Sequence, residues 1–396
     1  MKREYLPVGS ADRVHEIDAV RGFALFGILM MNIMSFAGPQ MENQLTFDAS
    51  DIYTGSNSVI ILLINIFVTA NFYTMFSFLF GLGFYIFLSR AKNRTQQVNR
   101  LFIRRMSILL IIGLLHAIFV WYGDILTVYA VTGIILLLFY RLNPRLNLFI
   151  STMILLLGSV FVILMTMLAL SLPDINAETA SSPVYGINMI EASNGSYWDI
   201  VSLNLSILGL MSVNNIAMVP LVLAVFLIGL FVGQKGYHTR LWSLKKMLWK
   251  IVIIGIGVGL PVKVITGYAM TYGMESPALS VLSMLAYTLG GPLMSLGYTA
   301  LLALIFLRFQ SFTKMLQPVG QLALTNYIMQ SVLMIVLFFG FNLFNQIGAL
   351  WFPLIVAATF GFQIVVSHLW MRYFKYGPLE WIWRISTYGK ILSIKK

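Results

Sequence analysis

The chain alternates long apolar runs with short polar segments. Many of the runs reach the roughly 20 residues that an α-helix needs to cross a bilayer. They predict about ten membrane-spanning helices, near 17–37, 58–89, 105–121, 124–140, 146–171, 215–233, 248–270, 280–307, 320–345 and 351–371. The segment 199–213 is shorter and more polar, and it predicts an interfacial or re-entrant helix. The expected fold class is therefore all-α, a polytopic membrane helix bundle.

Basic residues are sorted to one side of this predicted topology. With the N-terminus in the cytoplasm, every Lys and Arg except Lys263 falls in or beside a cytoplasmic segment, and most acidic residues lie in or beside outer segments. Positive charge marks the cytoplasmic side of membrane proteins. We therefore expect both termini in the cytoplasm. The chain divides into an N-terminal transmembrane part (1–145), a fifth helix with an outer loop and the interfacial helix (146–214), and a C-terminal transmembrane part (215–396).

Composition narrows the class of protein further. Hydrophobic residues make up 59% of the chain and charged residues 10%, against about 25% charged in soluble domains, which excludes a soluble enzyme. We interpret the net charge of +12 as topology and attraction to anionic lipid, not nucleic-acid binding, and expect a multi-pass protein of the bacterial cytoplasmic membrane. With no cysteine and four histidines far apart, we expect neither a thiolate centre nor a metal site.

The entry to the first predicted helix, HEIDAVRGFALFGILMMNI, carries charges at the membrane boundary. Asp18 and Arg21 are spaced to share one helical face and to pair. One interpretation is an anchoring ion pair, with Gly22 and Gly27 allowing close helix packing. The other is that Arg21 presents its guanidinium group to a phosphate-bearing ligand at the cytoplasmic face.

An intramembrane histidine precedes an aspartate across a tight hairpin in GLLHAIFVWYGDILTVYA. His116 lies roughly 16 Å along its helix from Arg105, in the outer half of the membrane. Asp124 starts the returning helix, so we expect the two side chains to lie close together. A histidine held by a carboxylate is a typical general base, which predicts His116 and Asp124 as catalytic residues. The alternative is a buried histidine satisfied by a carbonyl group, with Asp124 as an N-cap.

Basic side chains cluster before the helix that carries His116. The cluster consists of Arg90, Arg94, Arg100, Arg104 and Arg105. Part of it is the charge signal that orients the protein. Arg104 and Arg105 directly abut the helix, so they join Asp18 and Arg21 as candidate contacts for the phosphates of a cofactor.

Uncharged polar residues follow one another in GQLALTNYIMQS. Gln321 and Thr325 are one helical turn apart, as are Asn326 and Gln330, so together they give the helix a broad polar face. Hydrogen bonding between helices is one explanation. Substrate binding is the other, and it makes Gln321, Asn326, Gln330 and the similarly buried Asn32 candidate contacts. Two further intramembrane ionisable residues, Lys263 and His368, have no evident partner.

Five stretches carry a resemblance to a known family: HEIDAVRGFALFGILMMNI, FYTMFSFLFGLGF (72–84), GLLHAIFVWYGDILTVYA (113–130), GQLALTNYIMQS (320–331) and YGPLEWIWR (376–384). They resemble the YeiB-like family of bacterial polytopic membrane proteins over nearly the whole chain. The C-terminal half of that family is a domain of unknown function. Its N-terminal part is similar to the transmembrane acyltransferase superfamily, most clearly in the Asp18-x-x-Arg21-Gly22 pattern.

The resemblance implies an acyltransferase that takes an acyl group from cytoplasmic acyl-CoA or acetyl-CoA and delivers it to an extracytoplasmic or lipid-linked acceptor. It places coenzyme A near Arg21 and the arginine cluster. The role of His116 as base or acyl carrier rests instead on the physical argument above. A transporter or exporter of a small envelope or lipid-linked molecule is the alternative, and a non-catalytic scaffold is a third. The acceptor, the acyl chain and the oligomeric state stay open, so a homodimer remains an option.

Overall fold

In a computed structural model the chain is a bundle of α-helices. The structure describes residues 14–39, 55–92, 96–171, 189–272 and 277–396. The helices are α1 (His15–Ala37), α2 (Ser56–Phe67), α3 (Asn71–Lys92), α4 (Val98–Phe119), α5 (Leu126–Leu136), α6 (Pro144–Ser171), α7 (Met189–Asn194), α8 (Tyr197–Gln234), α9 (Lys245–Tyr272), α10 (Pro277–Arg308), α11 (Gln310–Gln321), α12 (Ala323–Ile335), α13 (Phe352–Tyr373) and α14 (Pro378–Tyr388). A π-helical turn, Val336–Gly340, continues α12. Between these described elements the sole β-type pairing is an isolated bridge of Phe374 with Lys395.

Within the described ranges, nine helical segments are long and apolar enough to cross a membrane. They are His15–Ala37, Ser56–Lys92, Val98–Phe119, Pro144–Leu168, Asn214–Gln234, Lys245–Tyr272, Val281–Arg308, Ala323–Gly340 and Ala349–Tyr373. This confirms the all-α, polytopic fold class. The outer segments 40–54 and 172–188, which carry much of the predicted acidic charge, lie outside the described residues.

The fourth predicted span, 124–140, is the one that these nine segments do not include. It is regular α-helix over α5 alone, which has 11 residues. The three residues after α5 donate hydrogen bonds to carbonyl groups three positions earlier, a 3₁₀ geometry that rises about 2.0 Å per residue instead of 1.5 Å. Gln234 at the end of α8 donates from Nε2 to the carbonyl oxygens of Tyr140 and Leu142, 3.1 Å each. The stretched segment therefore reaches the level at which α8 ends.

The span predicted over 58–89 matches the segment Ser56–Lys92, but its helix is interrupted between α2 and α3. Ala70 has a φ of 64°, in the left-handed region that residues with a Cβ rarely adopt. The fully buried Lys263 of α9 donates from Nζ to the carbonyl oxygen of Thr69 at 2.9 Å. The break thus lies in the interior, where a lysine satisfies a carbonyl group that the interrupted helix leaves free.

The segment 199–213, predicted as an interfacial or re-entrant helix, is helical and precedes the candidate span Asn214–Gln234. This segment is continuous with the predicted span 215–233 in α8, which has 38 residues and a length of about 57 Å. Its first turn is held by a capping box in which Asp199 accepts from the backbone N–H of Ser196 at 2.6 Å. These hydrogen bonds lower the pKa of the exposed Asp199 carboxyl. The polar residues of 199–213 thus do not mark a break: Asp199 is exposed, while Asn204 is buried and bonds to the backbone of Ile118 and Tyr122.

The predicted span 320–345 begins at a junction, not inside a helix. α11 ends at Gln321 and α12 starts at Ala323. α11 packs closely on α1, since a Cβ on Gly320 would overlap the carbonyl oxygen of Asp18, and one on Gly22 would lie 2.5 Å from the carbonyl oxygen of Leu316. The expected close packing at Gly22 is thereby confirmed. It brings the start of α1 against the α11–α12 junction.

Candidate functional site

A cavity of about 360 Å³ lies between α1, α3, α4, α12 and α14. Four arginines line it: Arg21, Arg90, Arg105 and Arg384. Its other walls are mainly aromatic and aliphatic, and they include Leu109, Leu126 and Tyr327. Leu126 packs against Gly113, which is about 12 Å further along α4 than Arg105. The cavity is thus basic where α3 ends and α4 begins, a region called the basic end below, and apolar deeper in the bundle.

Aromatic rings fix one of these arginines in place. The guanidinium carbon of Arg105 lies 3.6 Å from the ring centre of Trp383 and 5.1 Å from that of Phe87. Trp383 also donates from Nε1 to the carbonyl oxygen of Arg105 at 2.8 Å. A cation stacked on aromatic faces keeps its N–H edges available to an anion. Arg105 is therefore oriented before any ligand arrives.

The two carboxyl groups that line the cavity already have partners. Asp18 accepts from Arg21 at 2.9 Å. Glu380 of α14 accepts from the backbone N–H groups of Leu324 and Thr325 at 2.7 and 3.0 Å, and from the Thr325 hydroxyl at 2.5 Å. Burial raises the pKa of Glu380 above its ordinary value, against the effect of these hydrogen bonds. Because four arginines face two carboxyl groups, positive charge exceeds negative charge around the cavity. Glu380 in addition is held by its bonds to the first turn of α12.

The structure brings His116 and Asp124 together. His116 Nδ1 lies 3.0 Å from Asp124 Oδ1, and both side chains are about 1% exposed. Asp124 Oδ2 accepts from the backbone N–H of Thr127 at 2.8 Å. One carboxyl group therefore bonds to the first turn of α5 and holds the imidazole at the same time, and it takes the place of the carbonyl partner that the alternative interpretation expected for His116. The second ring nitrogen, Nε2, lies 2.9 Å from the hydroxyl oxygen of Ser331.

One layer of side chains separates this pair from the cavity. Tyr327 lines the cavity, and its ring centre lies 5.2 Å from that of His116. Its hydroxyl accepts from the backbone N–H of Ile125 at 3.4 Å and donates to the carbonyl oxygen of Gly123 at 3.5 Å. Both hydrogen bonds are long for their type. His116 is thus next to the cavity wall but does not line it.

The structure separates the other predicted residues into two sets. Gln321 lines the cavity and donates to Asp18 Oδ2 at 3.5 Å. Arg104 does not line it: it is exposed and lies beside Gly389, because adjacent residues of a helix point about 100° apart. Asn32 is half-buried and is not among the lining residues.

Asn326 and Gln330 lie away from the cavity, in a network of amide groups. Gln330 donates to the carbonyl oxygen of Leu25 at 3.2 Å and to Gln363 Oε1 at 2.8 Å. Asn326 donates to Ser367 at 3.0 Å. These bonds tie α12 to α1 and α13. His368 bonds from Nδ1 to a carbonyl oxygen of its own helix, that of Ile364, at 2.9 Å.

Sequence reasoning missed two residues that the structure places here. Arg384 lines the cavity from α14, a helix too short to register as a span. The four-residue spacing of Glu380 and Arg384 is the signal that both occupy one face of α14. Ser331 ends the stretch GQLALTNYIMQS, but nothing in its immediate sequence distinguishes it from a serine bonded to its own helix.

Comparisons with known proteins add a family. A family model described as "Protein of unknown function (DUF418)" matches residues 232–390. The uncharacterized protein YeiB of Escherichia coli is 26% identical, with 94% of this chain and 95% of that protein covered. An uncharacterized 39.9 kDa protein in the amylase 3' region of Bacillus acidopullulyticus is 30% identical, covering 98% of this chain and 97% of that protein. The chain belongs to the YeiB-like family.

A further relative agrees with this YeiB-like assignment. The uncharacterized protein YxaH of Bacillus subtilis is 28% identical to this chain, with 96% of each covered. No solved structure matches. The DUF418 segment includes Ser331, Glu380 and Arg384 but begins after α4 and α5, which carry His116 and Asp124. The candidate site of this YeiB-like protein is thus built from both parts of the chain.

Proposed function

We propose that this protein is a membrane acyltransferase that moves an acyl group from cytoplasmic acyl-CoA or acetyl-CoA to an envelope or lipid-linked acceptor. One observation carries the proposal. A cavity with four arginines and an apolar interior ends one side chain away from the buried pair of His116 and Asp124. The basic end faces the cytoplasm in this proposal, as the distribution of Lys and Arg predicts.

The cavity suits the donor in charge and in size. The phosphates of coenzyme A would bind Arg21, Arg90, Arg105 and Arg384, since one guanidinium group can donate two parallel hydrogen bonds to a phosphate group. A volume of about 360 Å³ lies within the roughly 300–1,000 Å³ typical of ligand pockets. That volume accommodates the pantetheine arm and a short acyl group, with the nucleotide at the basic end. The thioester then approaches Tyr327.

His116 supplies the proton transfer. Asp124 accepts the N–H of Nδ1, which leaves Nε2 as the basic nitrogen and stabilises the imidazolium ion once it forms. Movement of the Tyr327 ring opens the way from the cavity to Nε2. Because the hydrogen bonds of the Tyr327 hydroxyl are long and therefore weak, that movement costs little free energy.

A transporter of a small envelope or lipid-linked molecule is the second candidate. The observation that favours it is the buried break between α2 and α3, where Lys263 binds the carbonyl oxygen of Thr69. Interrupted helices with an ionisable partner inside the membrane occur at the substrate and ion sites of transporters.

The test is release of free coenzyme A. The purified protein, in lipid nanodiscs with acetyl-CoA and a crude envelope-lipid extract, should release thiol that a colorimetric reagent detects. Because the chain has no cysteine, the protein itself contributes no thiol to the assay, and a reaction with the extract but without the protein gives the background. Absence of release with any extract, together with counterflow of a labelled solute in proteoliposomes, overturns the acyltransferase in favour of the transporter.

Donor binding has a matched pair of variants. Arg384→Ala removes a guanidinium group from the cavity, and Arg104→Ala removes one from the exposed side of α4. A hydrogen bond to a charged group is worth about 1.5–3 kcal/mol, so Arg384→Ala should weaken acetyl-CoA binding by roughly 10- to 100-fold. Arg104→Ala should leave it unchanged. Equal affinity of both variants by calorimetry contradicts the donor site.

A further inference from the structure

We propose that Ser331 is the nucleophile of the reaction and carries the acyl group as an ester between donor and acceptor. The inference rests on the proposed acyltransferase function and adds a covalent intermediate to it. Ser331, His116 and Asp124 are joined by two hydrogen bonds, one at each imidazole nitrogen, of 2.9 and 3.0 Å. The order serine–histidine–aspartate is that of the hydrolytic triads, which arise on unrelated folds and are recognised by this geometry.

The hydrogen bonds fix where the protons are. Both oxygens of Asp124 accept, one from the backbone N–H of Thr127 and the other from His116 Nδ1. The proton of the neutral imidazole is therefore on Nδ1, and Nε2 has a free lone pair. Ser331 must then donate its O–H to Nε2. This is the arrangement in which a histidine removes the proton of a serine that attacks a carbonyl carbon.

The partner of Ser331 is unusual for a hydroxyl inside this bundle. Several buried serines and threonines bond to the carbonyl group one turn earlier in their own helix, as Ser77 and Ser159 do at 2.8 Å each. Among the hydrogen bonds of the described residues, Ser331 Oγ has His116 Nε2 as its partner. Ser331 is distinguished by this partner, an imidazole nitrogen that can accept its proton, whereas Ser367 bonds to the amide of Asn326.

Ser331, like His116, lies behind the side chain of Tyr327, as seen from the cavity. It is one turn beyond Tyr327 on α12, so both residues share the face that looks towards α4. Ser331 is 2% exposed in this conformation. Displacement of the Tyr327 ring into the space of the cavity exposes the hydroxyl and the imidazole together. A thioester at the deep end of the cavity then meets Ser331 Oγ.

The two half-reactions balance without a further reactant. In the first, Ser331 Oγ bonds to the thioester carbon, its proton passes to His116 Nε2, the C–S bond breaks, and His116 returns the proton to the departing coenzyme A thiolate. In the second, an acceptor hydroxyl gives its proton to His116 while its oxygen attacks the serine ester. The ester bond to Ser331 breaks, and Ser331 recovers the proton.

A covalent intermediate suits a site with its two substrates on opposite sides of a membrane. Donor and acceptor need not be bound together, because the acyl group waits on Ser331 after coenzyme A has left through the basic end. Water is excluded from the ester meanwhile, since Ser331, His116 and Asp124 are all buried.

The experiment is acyl labelling in the absence of acceptor. The protein in nanodiscs is mixed with acetyl-CoA that carries a radiolabelled acetyl group, and the label on the protein is measured and then located by peptide mass spectrometry. Wild type should take up one acetyl group per chain, on Ser331. Ser331→Ala should take up none and lose turnover by at least roughly 10³-fold, with unchanged acetyl-CoA affinity. Ser367→Ala is the matched control, a buried serine in the amide network, and it should label as wild type does.

A second variant tests the nucleophile in the case that Ser331→Ala does not fold. S331C introduces the sole thiol into a chain without cysteine, so acyl transfer would give a thioester that neutral hydroxylamine cleaves quickly. Thiol release by wild type without any acyl-protein, label on His116, or full turnover of Ser331→Ala overturns the nucleophile and leaves the acyltransferase standing. Failure of wild type to bind acetyl-CoA or to release thiol overturns the acyltransferase and the nucleophile together.

Discussion

Helix α12 carries two buried polar networks on adjacent faces, and they differ in what their groups can do. Asn326 and Gln330 share one face, and Tyr327 and Ser331 share the next. The first face bonds to Gln363 and Ser367 of α13 and to α1. Its members are neutral amides and hydroxyls, none of which accepts or releases a proton near neutral pH. The second face reaches His116, whose imidazole is a group that can accept and donate a proton during a reaction.

Burial and satisfied hydrogen bonds do not separate the two networks, because both are buried and well bonded. What separates them is the ability to move a proton and the distance from a cavity. The amide network joins three helices and borders no described cavity. The histidine network lies one ring away from a basic cavity of about 360 Å³. A polar group inside a membrane protein is thus a functional candidate through its chemistry and its access, not through burial alone.

Among the tests of this comparison, the largest effect on turnover should come from His116, the proposed base. His116→Ala should reduce turnover by roughly 10²- to 10⁴-fold, the usual contribution of general acid–base catalysis. Asp124→Asn removes the charge that stabilises the imidazolium ion, and its defect should not add to that of His116→Ala, since the two residues act as a unit. Thiol-release rates of the two single variants and the double variant decide the point. Additive losses would mean that Asp124 serves only to cap α5.

The intermediate effect tests the amide face. Gln363→Met removes two hydrogen bonds, one from Gln330 Nε2, which keeps its bond to the carbonyl oxygen of Leu25, and one to the carbonyl oxygen of Asn326, at a cost of about 0.5–1.5 kcal/mol for each bond. The free energy of unfolding in mixed detergent should fall by that order, and turnover per folded molecule should not change. Gln317→Met is the control, because its amide makes an exposed bond to His15. A loss of turnover in folded Gln363→Met would erase the distinction between the two faces.

The smallest effect concerns Glu380, which holds the first turn of α12 for both faces. Burial raises its pKa above the ordinary 4.5, so the folded protein binds this proton more tightly than the unfolded chain does. The stability that this proton contributes is full below about pH 4.5 and is lost as pH rises through the pKa of the folded state. Glu380→Gln should therefore flatten the fall of the thermal midpoint with rising pH. Parallel curves for wild type and variant would contradict this linkage.

Hydropathy and charge predicted most of the bundle, and chain geometry predicted the His116–Asp124 pair. The pair follows from local sequence, since a hairpin returns the chain to the residue it has just left. The break at Ala70 could not be predicted in this way, because no proline or glycine marks it and its support comes from Lys263, far along the chain. Such a contact exists only once the helices have packed.

The site was predictable where one helix defines it and not where several meet. Adjacent arginines look alike in a sequence, yet Arg105 enters the cavity and Arg104 faces away. The side on which each one falls depends on the rotation of α4 against α14. The proposed role of Ser331 could not be predicted for a similar reason, because it depends on a histidine 215 positions earlier in the chain.

The contact of Arg105 with Trp383 has a consequence for the order in which the protein is made. All nine candidate spans of the described chain precede α14, so Glu380, Trp383 and Arg384 are synthesised after the part of the cavity wall that α1 to α12 contribute. Until then Arg105 lacks the ring that orients it, and α12 lacks the carboxyl group at its first turn. In the proposed acyltransferase, a nascent chain therefore cannot complete the donor site until α14 docks.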